Sequence, residues 1–287
     1  METLNFRFVI IIPAFNEVKF IGQTLRSLAE QTLKPKKILV VDDGSTDTTV
    51  AILQEFSAKY DFIGYIEKGG DAHHLPGSKV VQAFNYGLKT LNSDFDIICK
   101  FDADLIFPKD YLQTLAEHFK ENPKAGMVGG FCHVEKNGNW ELENLTNKDH
   151  IRGALKAYRK SCFDQIGGLK PAMGWDTLDE LLAQYHGWEI LTDETLAVKH
   201  LKPTGATYSA KAKYKQGTAF YQMRYGFRLT AIASAKLAMR KKSLQFFKDY
   251  MAGYFKSKKE NKPFLVTEEE GKFIRGLRWR KIKEKLF

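Results

Sequence analysis

Residues 8–17 read FVIIIPAFNE and residues 37–47 read KILVVDDGSTD. Each opens as a run of β-branched and apolar side chains and closes on turn-forming or acidic ones. Apolar runs without alternation are what parallel strands buried on both faces require. The expected strands are Phe8–Ile12, which Pro13 ends, and Lys37–Val41. Phe62–Ile66, Ile97–Phe101 and Met127–Phe131 repeat the pattern.

Amphipathic stretches fill the gaps. Val18–Gln31 sets Phe20/Ile21, Leu25 and Leu28 on one helical face, and Thr46–Lys59 begins at capping residues. Val80–Leu91 and Lys109–Lys120 have the same spacing. Strand–helix alternation to about residue 130 predicts an α/β fold with a mostly parallel sheet. Beyond it, 133–153 is polar and reads as a loop or small hairpin. Helices are expected over Ala154–Gln165 and Thr177–His186, then in a basic tail from about Ser209 to Lys259 and in Gly271–Leu286. The expected division is a catalytic domain over 1–205 and a basic amphipathic helical extension over 206–287.

The 287 residues are 44% hydrophobic and 27% charged, which excludes a disordered or fibrous chain. Three cysteines without a CxxC pair argue against a disulfide framework and for a reducing, cytoplasmic setting. The apolar run near the N-terminus is too short for a signal peptide. No run of about 18 apolar residues offers a spanning helix. The net charge of +10 is uneven. Residues 200–287 hold 22 Lys+Arg against 6 Asp+Glu, whereas residues 1–199 hold 22 against 28.

The acidic residues of the first part gather at strand ends, where open α/β sheets bind ligands. Pro13-Ala14-Phe15-Asn16-Glu17 follows the first strand, and Asp42-Asp43-Gly44-Ser45 follows the second. Gly44 and Ser45 suit a turn and helix cap, but two adjacent carboxylates exceed that need. Asp42 or Asp43 can accept hydrogen bonds from a base or a ribose. Asp102-Ala103-Asp104 follows the strand Ile97–Phe101. Residues i and i+2 of an extended chain share a face, so both carboxylates point to a place for Mg²⁺ or Mn²⁺. Gly174-Trp175-Asp176-Thr177-Leu178-Asp179-Glu180 opens a helix. Asp176, Asp179 and Glu180 are each available as a general base, and each is also what a helix start favours.

The set VIIIPAFNE, ILVVDDGSTDTT, KFDAD and GWDTLDE resembles the inverting family-2 glycosyltransferases of the GT-A fold, over roughly residues 7–205. The stretch GALKAYRKSCFDQIGGL, Gly153–Leu169, adds to the likeness. The resemblance implies transfer of a sugar from a nucleotide-diphosphate donor to an acceptor hydroxyl in cell-surface glycan synthesis. It implies a nucleotide pocket of Pro13, Phe15, Asn16, Glu17 and one or both of Asp42 and Asp43. It also implies diphosphate and metal contacts by Asp102 and Asp104, with His200 completing the metal shell. Counting back eleven residues from Gly187 places the family's base at Asp176, with Trp175 where the family usually has Glu. Phe84 replaces a common Arg, leaving Lys79 as the cation for the diphosphate.

Basic and aromatic residues alternate through Ala210–Lys259, a composition suited to an anionic membrane surface and a lipid-linked or glycan acceptor. Such contact would place the protein at the inner face of the cytoplasmic membrane. No motif supports nucleic acid as a partner. His73 and His74 read as loop residues. ILVVDD also looks like a receiver-domain strand, but a full strand and helix precede it. FDADLIF resembles phosphatases with an Asp nucleophile, yet Ile106 stands where a hydroxyl or Val residue is expected. A non-catalytic sugar-nucleotide-binding protein on the same fold is the alternative kept open by Trp175.

Overall fold

The computed structural model describes residues 6–69, 78–143, 148–202 and 214–284. His73 and His74, and the start of the tail before Tyr214, lie outside the described residues. The first half alternates as expected: β1 (Phe8–Ala14), α1 (Ile21–Ala29), β2 (Lys37–Asp42), α2 (Thr49–Lys59), β3 (Ile63–Glu67), α3 (Lys79–Thr90) and β4 (Ile97–Phe101). β1 pairs in parallel with both β2 and β4, and β2 with β3. The order β3-β2-β1-β4 therefore reverses direction at β1, which opens a crevice beyond the carboxyl ends of β1 and β4. All of β4 and nearly all of β1 are buried, as their unbroken apolar runs require.

The second half inserts antiparallel strands. After β5 (Leu105–Ile106) and α4 (Tyr111–Glu121) come β6 (Ala125–Lys136), β7 (Asn139–Leu142) and β8 (Leu155–Arg159). The polar stretch after residue 131 is the β6–β7 hairpin, turned by Asn137 and Gly138, both at positive φ. β8 lies antiparallel between β4 and β6, and β9 (Glu189–His200) runs parallel to β6. The helix expected over Ala154–Gln165 is thus β8 followed by α5 (Lys160–Gln165). Leu155-Lys156-Ala157 favours a helix locally, but pairing on both sides in the sheet overrides that preference.

α6 (Trp175–Tyr185) precedes β9, and the tail folds as α7 (Lys215–Gln222), α8 (Gly226–Arg240), α9 (Leu244–Lys259) and α10 (Glu268–Lys283). Residues at positive φ, Arg224, Gly226 and Lys242, break the long basic stretch into separate helices. Phe220, Met223, Tyr225, Leu229 and Ile274 join the same buried apolar cluster as the strands. Among the described residues no helix is long and apolar enough to cross a membrane.

Candidate active site

At the end of β1, Asn16 sits at positive φ and turns its side chain toward the β2–α2 loop. Its Oδ1 accepts from the Thr46 backbone N–H at 2.8 Å, while its own N–H donates to Ser45 Oγ at 2.9 Å. Asp42 is spent on the loop: Oδ2 accepts from the N–H groups of Gly44 and Ser45, and Oδ1 accepts from Ser45 Oγ. Asp43 is buried and held by Lys68 Nζ at 2.8 Å. Phe15, 48% exposed, stands at the rim. Pro13 is still within β1, opposite Val41. Lys79 opens α3, whose start is fastened by Ser78 Oγ donating to the Pro171 carbonyl at 3.1 Å.

β4 stops at Phe101, so Asp102 and Asp104 occupy a turn instead of alternating along a strand. The Ala103 carbonyl between them accepts from Thr24 Oγ1 at 2.8 Å, and the Asp102 N–H donates to the Ala154 carbonyl at 3.1 Å. The two carboxylates consequently meet different partners. Asp102 pairs with the buried ammonium of Lys100, which also donates to the Gly153 carbonyl at 3.0 Å. Asp104, at the start of the β5–β9 pair, faces Nε2 of buried His200 at 3.5 Å. Nδ1 of the same ring lies 2.9 Å from Glu143, which Arg152 also contacts. Burial opposes charge on His200, but the hydrogen bonds and charges of Asp104 and Glu143 outweigh it and raise its pKa.

Glu17 belongs to this group. Its Oε1 takes a hydrogen bond from Lys202 at 3.0 Å, and its buried Oε2 has no partner among the described residues. Burial raises its pKa; Lys202 lowers it again, and the nearby charges of Asp104 and Asp102 push it up. Cys132, Glu143 and His200 also lie close enough to share an ion. Burial lifts the Cys132 thiol to about 12.

The three acidic candidates of α6 separate by environment. Asp179 and Glu180 are buried and fully engaged. Asp179 accepts from Lys156 Nζ at 2.9 Å and Tyr158 Oη at 2.5 Å. Glu180 accepts from Lys156 at 3.0 Å and the Ile151 N–H at 2.9 Å, and lies 2.8 Å from His150 Nδ1. Burial raises Asp179 to about 6 against the opposing charge of Lys156. Asp176, with 35% of its side chain exposed, faces His150 Nε2 at 3.8 Å. No side chain caps α6; Gly174 starts it in the left-handed region. Burial opposes the Asp176 charge, but His150 and Lys156 more than offset this and lower its pKa. Trp175 is buried, with the ammonium groups of Lys100 and Lys156 at 5.5 and 6.0 Å from its ring. A Cβ on Gly153 would lie 2.8 Å from Trp175 and 3.2 Å from Asp176 Cβ, so this bare backbone joins the Asp102 turn to α6.

The buried lysines and His150 escaped the motif reading. Lys100 inside IICKF and Lys156 inside LKAY carried a signal, since a charge in an apolar strand needs a partner at its end.

Residues 9–171 match the sequence profile "Glycosyl transferase family 2". A probable glycosyltransferase, YdaM, of Bacillus subtilis is 32% identical over 201 residues, covering 61% of this chain and 44% of that protein. The Methanococcus voltae dolichyl N-acetyl-alpha-D-glucosaminyl phosphate 3-beta-D-2,3-diacetamido-2,3-dideoxy-beta-D-glucuronosyltransferase is 33% identical over 152 residues, covering 50% and 45%. The chain spans less than half the length of either relative. The mannosyltransferase PcManGT of Pyrobaculum calidifontis, solved with GDP-Man and Mn²⁺, superposes with a TM-score of 0.56 at 14% identity, over 99% of this chain and 82% of that one. Profile match, sheet order and acidic strand ends agree: the chain belongs to glycosyl transferase family 2 and has its GT-A-type fold.

Proposed function

We propose that the chain transfers a glycosyl group from a nucleoside-diphosphate sugar to an acceptor hydroxyl by one displacement with inversion at the anomeric carbon. The observation that carries this reading is the pairing of Asp104 with His200, with Glu17 in the field of Asp102 and Asp104, at the crevice where the parallel strand order reverses, and with Gly153 linking the Lys100–Asp102 pair to Asp176.

Division of labour follows from what each side chain has left to offer. Asp42 is consumed by its own turn, so Asp43 with Lys68 is the carboxylate for the nucleoside, together with Asn16, Phe15 and the backbone at Pro13. Lys79 supplies positive charge to the diphosphate from the start of α3. Asp104 and His200 face one another as a carboxylate and an imidazole, and Asp102 would join them at an ion by leaving Lys100. The fit to Mn²⁺ or Mg²⁺ rests on the orphaned Glu17 oxygen nearby and on Glu143 fixing the His200 ring from behind. When bound, such an ion neutralises charge on the departing diphosphate. Asp176 accepts the acceptor hydroxyl's proton, because it is the one of the three helix carboxylates with an open side chain. Asp179 and Glu180 hold the base in place through Lys156 and His150. The acceptor in this reading is a glycan or lipid-linked glycan of the cell surface, met at an anionic membrane by the basic extension of residues 206–287.

Thermal denaturation with UDP-, GDP- and dTDP-sugars, each with and without Mn²⁺, tests the donor site. One sugar nucleotide should raise the melting temperature with the ion and not without it. Asp104→Ala should remove that metal-dependent rise. A rise of equal size in wild type with EDTA would refute the metal assignment. Stabilisation without any transfer to glycan acceptors would favour the non-catalytic reading.

A further inference from the structure

Two adjoining cavities, of about 290 and 430 Å³, open beside Asp176 between α6, α8 and α10. They share Lys236, Arg240, Arg278 and Lys281 on their walls. One continues along Phe220, Met223, Leu229, Ile232, Leu237 and Ile282, an apolar lining. The other has Asp149, His150, Asp176 and Glu180 on its surface.

The acids of this cleft already have cationic partners. Asp149 pairs with Lys281 at 2.7 Å, Glu180 with Lys156 and His150, and Asp176 with His150. Two guanidiniums are left over. Among the described residues Arg278 donates only to the neutral Tyr225 hydroxyl, at 3.1 Å, with its guanidinium 5.8 Å from that ring, and Arg240 makes no ion pair. A guanidinium fork matches phosphate oxygens in pairs, which makes an unpaired arginine in a cleft a phosphate-seeking group. On either side of Arg240, Met239 and Leu244 flank the α8–α9 turn in open solvent beside Lys241 and Lys242. A cleft with cations at its mouth, an apolar wall and an exposed apolar turn complements an anionic amphiphile.

We propose that the acceptor is a sugar carried on a lipid phosphate, bound with its phosphoryl group at Arg240 and Arg278 and its alkyl chain along Phe220, Met223 and Ile232. The sugar hydroxyl then reaches Asp176. In the transfer, the acceptor oxygen bonds to the donor's anomeric carbon as that carbon's bond to the diphosphate oxygen breaks. The bonding pair leaves with the nucleoside diphosphate, and the hydroxyl proton passes to Asp176.

This inference rests on the transferase reading above, and the test separates the two. Calorimetry on the full chain would use dodecyl phosphate, dodecyl maltoside and inorganic phosphate, each below micelle formation. Dodecyl phosphate should bind about tenfold or more tighter than either of the others. Arg240→Gln, Arg278→Gln and the surface change Ile232→Asp should each weaken it about tenfold, with the metal-dependent thermal shift by donor intact. Equal binding of the maltoside, or wild-type affinity in both arginine variants, would overturn the proposal. Equal binding of inorganic phosphate would mark a soluble phosphorylated acceptor and remove the lipid from the argument. Absence of the donor shift in wild type would instead bring down the transferase reading.

Discussion

Asp176 shows how little of a residue's role its sequence neighbours reveal. Three carboxylates within five positions of one helix are alike as bases by type; the family spacing points to Asp176, and burial and partners set it apart from the other two. Two are taken up by Lys156, Tyr158 and His150; the third has an open edge. Asp176→Asn should therefore keep metal-dependent donor binding and lower transfer by about 10²–10⁴, measured as released nucleoside diphosphate with acceptor present. Transfer at the wild-type rate would return the role to its neighbours. His150 adds a stability prediction. Burial lowers its pKa, but hydrogen bonds to Asp176 and Glu180 raise it further, to about 9 against an ordinary 6.5. A raised folded pKa means stabilisation that is complete below the unfolded value and lost as pH rises through the folded one. The stability gap between wild type and His150→Gln, from urea unfolding, should be on the order of 2–3 kcal/mol at pH 6 and shrink between about pH 6.5 and 9. A gap that widened with pH would mean the ring is buried neutral.

At the scale of elements, the parallel half of the sheet was legible because each strand is apolar throughout and ends on a turn signal. β4 begins and ends where its run of side chains does. The antiparallel insertions were not legible. β8 has a helix-favouring composition, and its strand state comes from β4 and β6, partners distant in sequence. The DxD spacing was visible, but the turn that sends Asp102 toward Lys100 and Asp104 toward His200 was not. It depends on Thr24, some 79 residues away. The tail's helices were readable as basic amphipathic segments, but not how closely they pack. α7 and α9 cross with Gly217 against the Tyr250 carbonyl and Gly253 against the Tyr214 carbonyl; added Cβ atoms would sit 1.8 and 2.2 Å from those oxygens. Backbone cannot yield as a side-chain tip can, so Gly217→Ala should cost about 2–3 kcal/mol or more in thermal or urea unfolding. Gly276 in α10 has open space around it, so Gly276→Ala should gain about 0.5–1 kcal/mol from helix propensity. Equal effects of the two changes would contradict the close crossing.

For the whole molecule, the decisive feature is the separation of charge along the chain. The acidic part supplies the crevice, while the part from residue 200 carries 22 Lys+Arg against 6 Asp+Glu and packs its aromatics into the same core. With Phe220, Tyr225 and Ile274 buried, the helices cannot peel away as a free arm, and the cations left outside form a fixed surface beside Asp176. Met239 and Leu244, 78% and 70% exposed at the α8–α9 turn, extend that surface with apolar side chains. Each lysine or arginine near an anionic bilayer contributes about 1 kcal/mol, and the attraction decays over a Debye length of about 10 Å at 0.1 M salt. Co-sedimentation should thus show binding to vesicles containing phosphatidylglycerol at low salt, little binding to pure phosphatidylcholine, and release as salt approaches about 0.5 M. Met239→Glu combined with Leu244→Glu should reduce binding several-fold at constant salt without changing the melting temperature, since neither side chain is packed. Charge alone would leave the double variant bound like wild type. In that case the exposed apolar turn has no part in docking, and the cationic face holds the surface from outside the headgroups.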